Sequence, residues 1–208
     1  MAQPQAEKPN AAALFTVIVL RHGERSLLLE RARKKRVHPG KWTGMGGKIE
    51  ADEMDDLAAS ALRELREESG IVARDVRDFA LRRAVLHARP GAPLTTLFYF
   101  TGTLEQRVLP HCPEGTLAWV SPEEWDDLPL IDNARPLLPL LFADQERDPA
   151  GHEPPHLGIA RFAPDGTFID ILWGLGSPLS IAPESHPAVF SGGHAWGRSR
   201  PRRGSRRG

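Results

Sequence analysis

Three carboxylates, Glu64, Glu67 and Glu68, stand at i, i+3 and i+4 within the string Arg63-Glu64-Leu65-Arg66-Glu67-Glu68. On a helix these positions share one face, and like charges so placed destabilise an isolated helix by roughly 0.2–0.5 kcal/mol per pair. A positive partner is therefore expected. A hard divalent cation meets the need, because Mg²⁺ takes oxygen from a few carboxylates and keeps its other positions for water and substrate phosphates. Ala58, Ala61, Leu62 and Leu65 form an adjacent apolar stripe, which would seat the helix on a core and hold the acidic face in place. The alternative is an ordinary amphipathic helix with solvated glutamates.

The wider stretch from Gly44 to Ile71, GMGGKIEADEMDDLAASALRELREESGI, is more specific than a charged helix. It resembles the box that defines the Nudix hydrolases: a glycine, a glutamate after five residues, then Arg-Glu-aliphatic-x-Glu-Glu-x-Gly-aliphatic after seven more. Gly47, Glu53, Arg63, Glu64, Leu65, Glu67, Glu68, Gly70 and Ile71 supply the matching types. Nine residues, not seven, separate Glu53 from Arg63. The resemblance implies that Arg63 orients the acidic cluster by pairing with the upstream carboxylate, which here is Glu53 or, by its spacing, Asp55. It further implies an α/β fold, the Nudix α/β/α sandwich with a mixed β-sheet. Mg²⁺ or Mn²⁺ would be held by Glu64, Glu67, Glu68 and the Gly46 carbonyl.

Ahead of the box, Arg31 to Arg36 reads RARKKR, followed by Pro39-Gly40-Lys41-Trp42-Thr43-Gly44. A charge run of this kind is either a solvated face or a phosphate contact, and its place close before the box favours substrate phosphates at Lys34, Lys35 or Arg36. The spacing resembles the MutT-like branch that hydrolyses oxidised purine nucleoside triphosphates. By that resemblance Thr43, Gly47 and Lys48 are substrate-binding candidates, although Thr43 offers a hydroxyl where mammalian members place an asparagine amide. Asp132 and Asn133 occupy the region where such enzymes hydrogen-bond the purine, or they cap a helix. Glu114, five residues before Trp119, stands where the family often carries a further metal-reaching glutamate. Arg63, Glu64, Glu67 and Glu114 are the catalytic candidates, with the general base open among the three glutamates.

The implied activity is metal-dependent pyrophosphohydrolysis of a small nucleotide, of the 8-oxo-dGTP type, to the monophosphate and pyrophosphate. ADP-ribose or dinucleoside polyphosphates are alternative substrates, and a non-catalytic nucleotide- or RNA-binding module is the alternative class.

The chain has 208 residues, 40% of them hydrophobic, enough for one core with tails. Its single cysteine, Cys112, excludes an internal disulfide and suits a reducing, cytoplasmic compartment. No apolar run approaches the eighteen or so residues of a membrane span, so no membrane partner is expected. The net charge of zero hides an asymmetry: from Glu184 onward the chain holds six of the 27 basic and one of the 27 acidic residues. The body is thus net acidic and unlike a general nucleic-acid binder; only the Arg-rich tail could touch polyanions.

Residues 1–12 read as a disordered lead, 13–173 as the Nudix domain and 174–208 as a Gly/Arg-rich disordered tail. Leu14–Leu20 and Ser26–Glu30 read as a hairpin, and Val76–Ala88 and Leu94–Leu104 as longer strands. A short strand should end at Trp119-Val120. Ser121-Pro122 should start a helix, with Ser121 as N-cap and Pro122 at its first position, and Ala134–Ala143 should form a second, constrained by Pro136 and Pro139. Gln145–Pro155 reads as a polar loop, followed by a hairpin from His156 to Trp173.

Overall fold

The computed structural model describes residues 12–105, 109 and 111–174. The expected lead and tail lie outside these residues except for their innermost members, Ala12 and Gly174. Apolar runs form the central strands. β1 (Ala13–His22) turns through Gly23, at a φ of 58° that suits glycine, into β2 (Arg25–Arg31). β3 (Trp42–Thr43) precedes α1 (Leu57–Ser69), and β4 (Val76–His87) and β5 (Thr95–Leu104) follow. β6 (Gly115–Val120), α2 (Ala134–Arg147), β7 (His156–Phe162) and β8 (Phe168–Trp173) complete the fold.

The sheet runs β3-β2-β1-β5-β4-β7-β8, with β6 paired to the opposite edge of β2 from β1 and β3. β1 and β5 are parallel from Ala13↔Thr95 to Arg21↔Thr103, and β4 and β7 are parallel, whereas the other pairs are antiparallel. The expected mixed sheet between helices is thereby formed.

Strand alternation divides the core into two layers. Ile18, Leu20, Leu27 and Leu29 pack with Ala61 and Leu65 of α1 on one face. Val19, Leu28, Val85 and Tyr99 pack with Leu137, Leu138, Leu141 and Phe142 of α2 on the other. Phe100 and Phe98 belong to the α1 face, and Leu97 and Tyr99 to the α2 face.

Three expectations need correction. Ala58 is exposed, and the buried stripe of α1 is Ser60, Ala61, Leu65 and Ser69. The two serines stay buried because their hydroxyls are bonded, Ser60 Oγ to Glu53 (2.9 Å) and Ser69 Oγ to the Leu65 carbonyl (2.6 Å). Secondly, α2 runs on to Arg147, taking in the first three residues of the segment expected to be loop. Its last turn is anchored by Asp144, 3% exposed, which accepts two hydrogen bonds from Arg83 at 2.6 and 2.8 Å. The Arg83 guanidinium also lies 4.4 Å from the centre of the Trp173 ring, tying β4, α2 and β8 together. Pro136 sits in the first turn, where no backbone donor is needed, and Pro139 is on the exposed side. Thirdly, Ser121-Pro122 opens only a 3₁₀ turn, Pro122–Glu124, closed by a Ser121/Glu124 capping box.

Candidate active site

The long box resolves locally. Ala51–Glu53 form a 3₁₀ turn closed by a Glu50/Glu53 capping box, and Asp56 then caps α1 by accepting from Ala59 N–H at 2.9 Å. The extra residues are taken up in the exposed turn at Met54-Asp55. Glu53 is consequently the partner of Arg63: Arg63 donates Nη2 to Glu53 Oε2 at 2.9 Å and Nε to Oε1. Ser60 Oγ and the Glu50 N–H (3.1 Å) donate to the same carboxylate.

These bonds, those from Arg63 foremost, hold the Glu53 carboxyl at about 2, below its usual 4.5. A depressed folded-state value means that the stabilisation is present above the ordinary value and is lost as pH falls through the depressed one. Glu53→Gln should therefore lower the Tm at neutral pH and flatten its acid decline between about pH 4.5 and 2. Asp55→Asn should leave the Tm at neutral pH unchanged; a loss there with none for Glu53→Gln would make Asp55 the partner of Arg63 instead.

Arg63 serves two more box residues. Its Nη1 lies 2.8 Å from Glu64 Oε1 and 3.0 Å from Glu67 Oε2, and its Nη2 reaches the Lys48 carbonyl at 3.4 Å. The Glu64 carboxylate lies over Gly47, where a Cβ would overlap it, so glycine is needed for that approach. Gly46, at a φ of 130°, leaves no room for a Cβ against the Thr16 carbonyl, and its N–H donates to Glu68 Oε2 at 2.9 Å. Burial, with Glu114 and Glu64 adding repulsion, pushes the Glu68 carboxyl up to about 7 despite that bond.

Among the described residues no three carboxylate, imidazole or thiol groups are already gathered as a metal-binding set. Glu64 and Glu67 lean on Arg63, while Glu68 faces Gly46. The donor chemistry nonetheless fits a hard divalent cation: every candidate ligand is oxygen, and the charges of Glu64 and Glu114 act on the half-buried Glu68.

Glu114 also belongs to this neighbourhood, since its charge acts on Glu68. Its carboxylate is ion-paired with Lys35. Of the three basic candidates, then, Lys35 is engaged with a glutamate, while Lys34 and Arg36 are exposed. Lys48 pairs with Glu50 at 3.2 Å.

On the other edge of β2, Trp42 N–H donates to the Pro129 carbonyl and Ile131 N–H to the Trp42 carbonyl, each at 3.0 Å. This stitching places the exposed Asp132 near β3, where its charge acts on His38. Thr43, within β3, is buried and paired with Leu29 of β2. Asn133 is placed differently from the expectation. It is 8% exposed, its Nδ2 donates to the buried Tyr99 hydroxyl at 2.9 Å, and it makes no side-chain cap. One donor of that amide is thus engaged by the core.

Sequence reasoning missed Ser60 and Thr16. Thr16 Oγ1 accepts from Gly47 N–H at 3.3 Å and so helps to hold the glycine turn. Ser60 had a readable signal, a hydroxyl within an apolar helical stripe seven residues after Glu53; Thr16, inside an apolar strand, had none.

A family model described as NUDIX domain matches residues 10–141. The chain belongs to the Nudix family. The enzyme class expected from the sequence, a Nudix pyrophosphohydrolase, stands on that match, and hydrolases of this family generally use divalent metal ions. Solved Nudix structures share the fold. A MutT protein from Bacillus halodurans is 22% identical with a TM-score of 0.57, over 77% of this chain and 97% of its own. A MutT protein from Methanosarcina mazei Go1 is 24% identical with a TM-score of 0.55, over 69% and 99%. The Nudix domain of Shewanella oneidensis NrtR, solved with ADP ribose, is 19% identical with a TM-score of 0.50, over 70% and 93%. No helix among the described residues of this Nudix hydrolase is long and apolar enough to cross a membrane.

Proposed function

We propose that this Nudix hydrolase is a Mg²⁺- or Mn²⁺-dependent nucleoside triphosphate pyrophosphohydrolase of the cytoplasm. Its preferred substrates are oxidised purine nucleotides of the 8-oxo-dGTP type, which it converts to the monophosphate and pyrophosphate. The observation that carries the reading is the guanidinium of Arg63 bridging Glu53, Glu64 and Glu67 across a lengthened box. A module that only bound nucleotides would have no use for carboxylates so oriented.

Glu64, Glu67, Glu68 and Glu114, with the Gly46 carbonyl, would hold the cation. When bound, it supplies charge neutralisation at the phosphates and a lowered water pKa. The protein's own groups do the rest. Arg63 keeps Glu64 and Glu67 in register, and one of Glu64, Glu67 and Glu114 takes the proton from the attacking water. Glu67 is the most open of the three, its side chain 53% exposed against 15% for Glu64 and 29% for Glu114. Lys34, Lys35 or Arg36 meets the phosphates, and Lys35 must leave Glu114 to do so. Trp42 and Asp132 are base-side candidates near where the Pro129–Ile131 segment joins β3, while Thr43, paired with Leu29, faces the other side of that strand.

The test is product analysis of the purified chain with and without Mg²⁺ against 8-oxo-dGTP, dGTP, the other triphosphates, ADP-ribose and diadenosine polyphosphates. Metal-dependent pyrophosphate release that favours 8-oxo-dGTP is expected. Turnover confined to ADP-ribose or diadenosine polyphosphates would replace the substrate and keep the chemistry. Absence of turnover on every compound would leave a binding module.

A further inference from the structure

The two edges of β2 are differently furnished. On the β3 edge of β2 lie Trp42, Thr43 and Asp132. On the opposite edge, where β6 pairs with β2, an open cleft of about 530 Å³ is lined by Glu30, Arg31, Arg33, Lys34, His111 and Thr116, among others. Two of its basic side chains, Arg33 and Lys34, are exposed and form no ion pair among the described residues, whereas Arg31 Nε donates to the Val37 carbonyl at 3.0 Å.

The walls are also fixed. Ala32 N–H donates to the Glu114 carbonyl at 2.9 Å, and Gly115 sits so close to the Glu30 carbonyl that no Cβ would fit between them. Arg31 and Cys112 line the cleft and both interact electrostatically with Glu68, so it lies near the acidic cluster, although none of the candidate ligand glutamates lines it. Its volume lies within the roughly 300–1,000 Å³ of pockets that enclose small organic ligands.

We propose that this cleft receives the phosphate-bearing leaving group, the portion of the substrate beyond the scissile anhydride. The inference rests on the hydrolytic reading above and extends it to the far half of the substrate. Water forms the new bond to phosphorus and gives its proton to the glutamate base. The P–O anhydride bond breaks, and its electron pair departs on the leaving phosphate oxygen toward Arg33 and Lys34. The shared chemistry is a phosphate chain, with two sources: the free terminal phosphates of a triphosphate, or a chain capped by a second nucleoside.

Calorimetric binding to the full chain in Mg²⁺ buffer separates these possibilities without requiring turnover. The probes are inorganic tripolyphosphate, dGMP and a methylene-bridged diadenosine tetraphosphate analogue. Arg33→Glu with Lys34→Glu should weaken tripolyphosphate and the bridged analogue about tenfold or more while leaving dGMP unchanged. Arg33→Lys with Lys34→Arg should retain wild-type affinity. Tighter binding of the bridged analogue than of tripolyphosphate assigns a capped chain to the cleft; equal binding assigns free phosphates. The proposal is overturned if the wild type does not bind tripolyphosphate, if the charge reversal leaves that affinity intact, or if it weakens dGMP equally. Failure of the hydrolytic reading would show separately, as tripolyphosphate binding by a chain that turns over no nucleotide.

Discussion

Glu67→Gln should lower kcat by about 10²–10⁴-fold, the usual contribution of a positioned general base, while leaving the Tm nearly unchanged. The exchange is isosteric, and Glu67 makes a single 3.0 Å contact, with Arg63, from a side chain that is 53% exposed. Solvent screening keeps the structural worth of such a pair small. Stability and catalysis should therefore part company at this residue. A Mg²⁺ titration distinguishes the two functional roles: recovery of the rate at high Mg²⁺ marks a ligand, and a rate that stays low at saturation marks the base. Near-wild-type turnover at ordinary Mg²⁺ would remove Glu67 from the chemistry. Glu123→Gln, on the exposed turn after β6, is the control and should be silent.

The largest effect on stability should come from Asp144→Ala. Arg83 and Asp144 are 8% and 3% exposed and share two hydrogen bonds, so truncating the acid leaves a guanidinium buried without its counter-charge. Breaking such a pair typically costs about 3–5 kcal/mol. At about 2–4 °C per kcal/mol for a chain of this size, the Tm should drop by roughly 6–20 °C. Replacing both partners, as Arg83→Met with Asp144→Leu, should recover most of the loss, because paired apolar groups carry no uncompensated charge. The specific activity of the folded fraction at low temperature should be preserved, since the pair lies on the α2 face and the acidic cluster on the α1 face. A drop of under about 2 °C would show that water reaches the pair in solution.

What the sequence made legible follows from how local each determinant is. Apolar alternation and turn residues placed β1, β2, β4, β5, β7 and β8 within a residue or two, and the box announced α1 and its acidic face. The far end of α2 was not legible, because Asp-Gln-Glu-Arg looks like loop until Arg83, 61 residues earlier, is found opposite Asp144. The bond from Asn133 to Tyr99 was hidden for the same reason, its partners being 34 residues apart. The Lys35–Glu114 pair likewise joins two loops that composition describes only as charged. β3, two residues long, gave no pattern to count. Where a side chain's partner is distant, type and spacing name the group without naming its task.

The turn at Met54-Asp55 bears on how much variation the box tolerates. By polymer closure entropy, lengthening a connection of about ten residues by two costs only about 0.2 kcal/mol. The bonds that Glu53 makes with Arg63, Ser60 and the Glu50 amide outweigh that, even after solvent weakens them. The contact map near the helix start is thus insensitive to the count of intervening residues, provided that the carboxylate arrives and the cap re-forms. A motif defined by fixed intervals is a shorthand for these contacts, and chains that keep the contacts while breaking the intervals belong to the same chemical population.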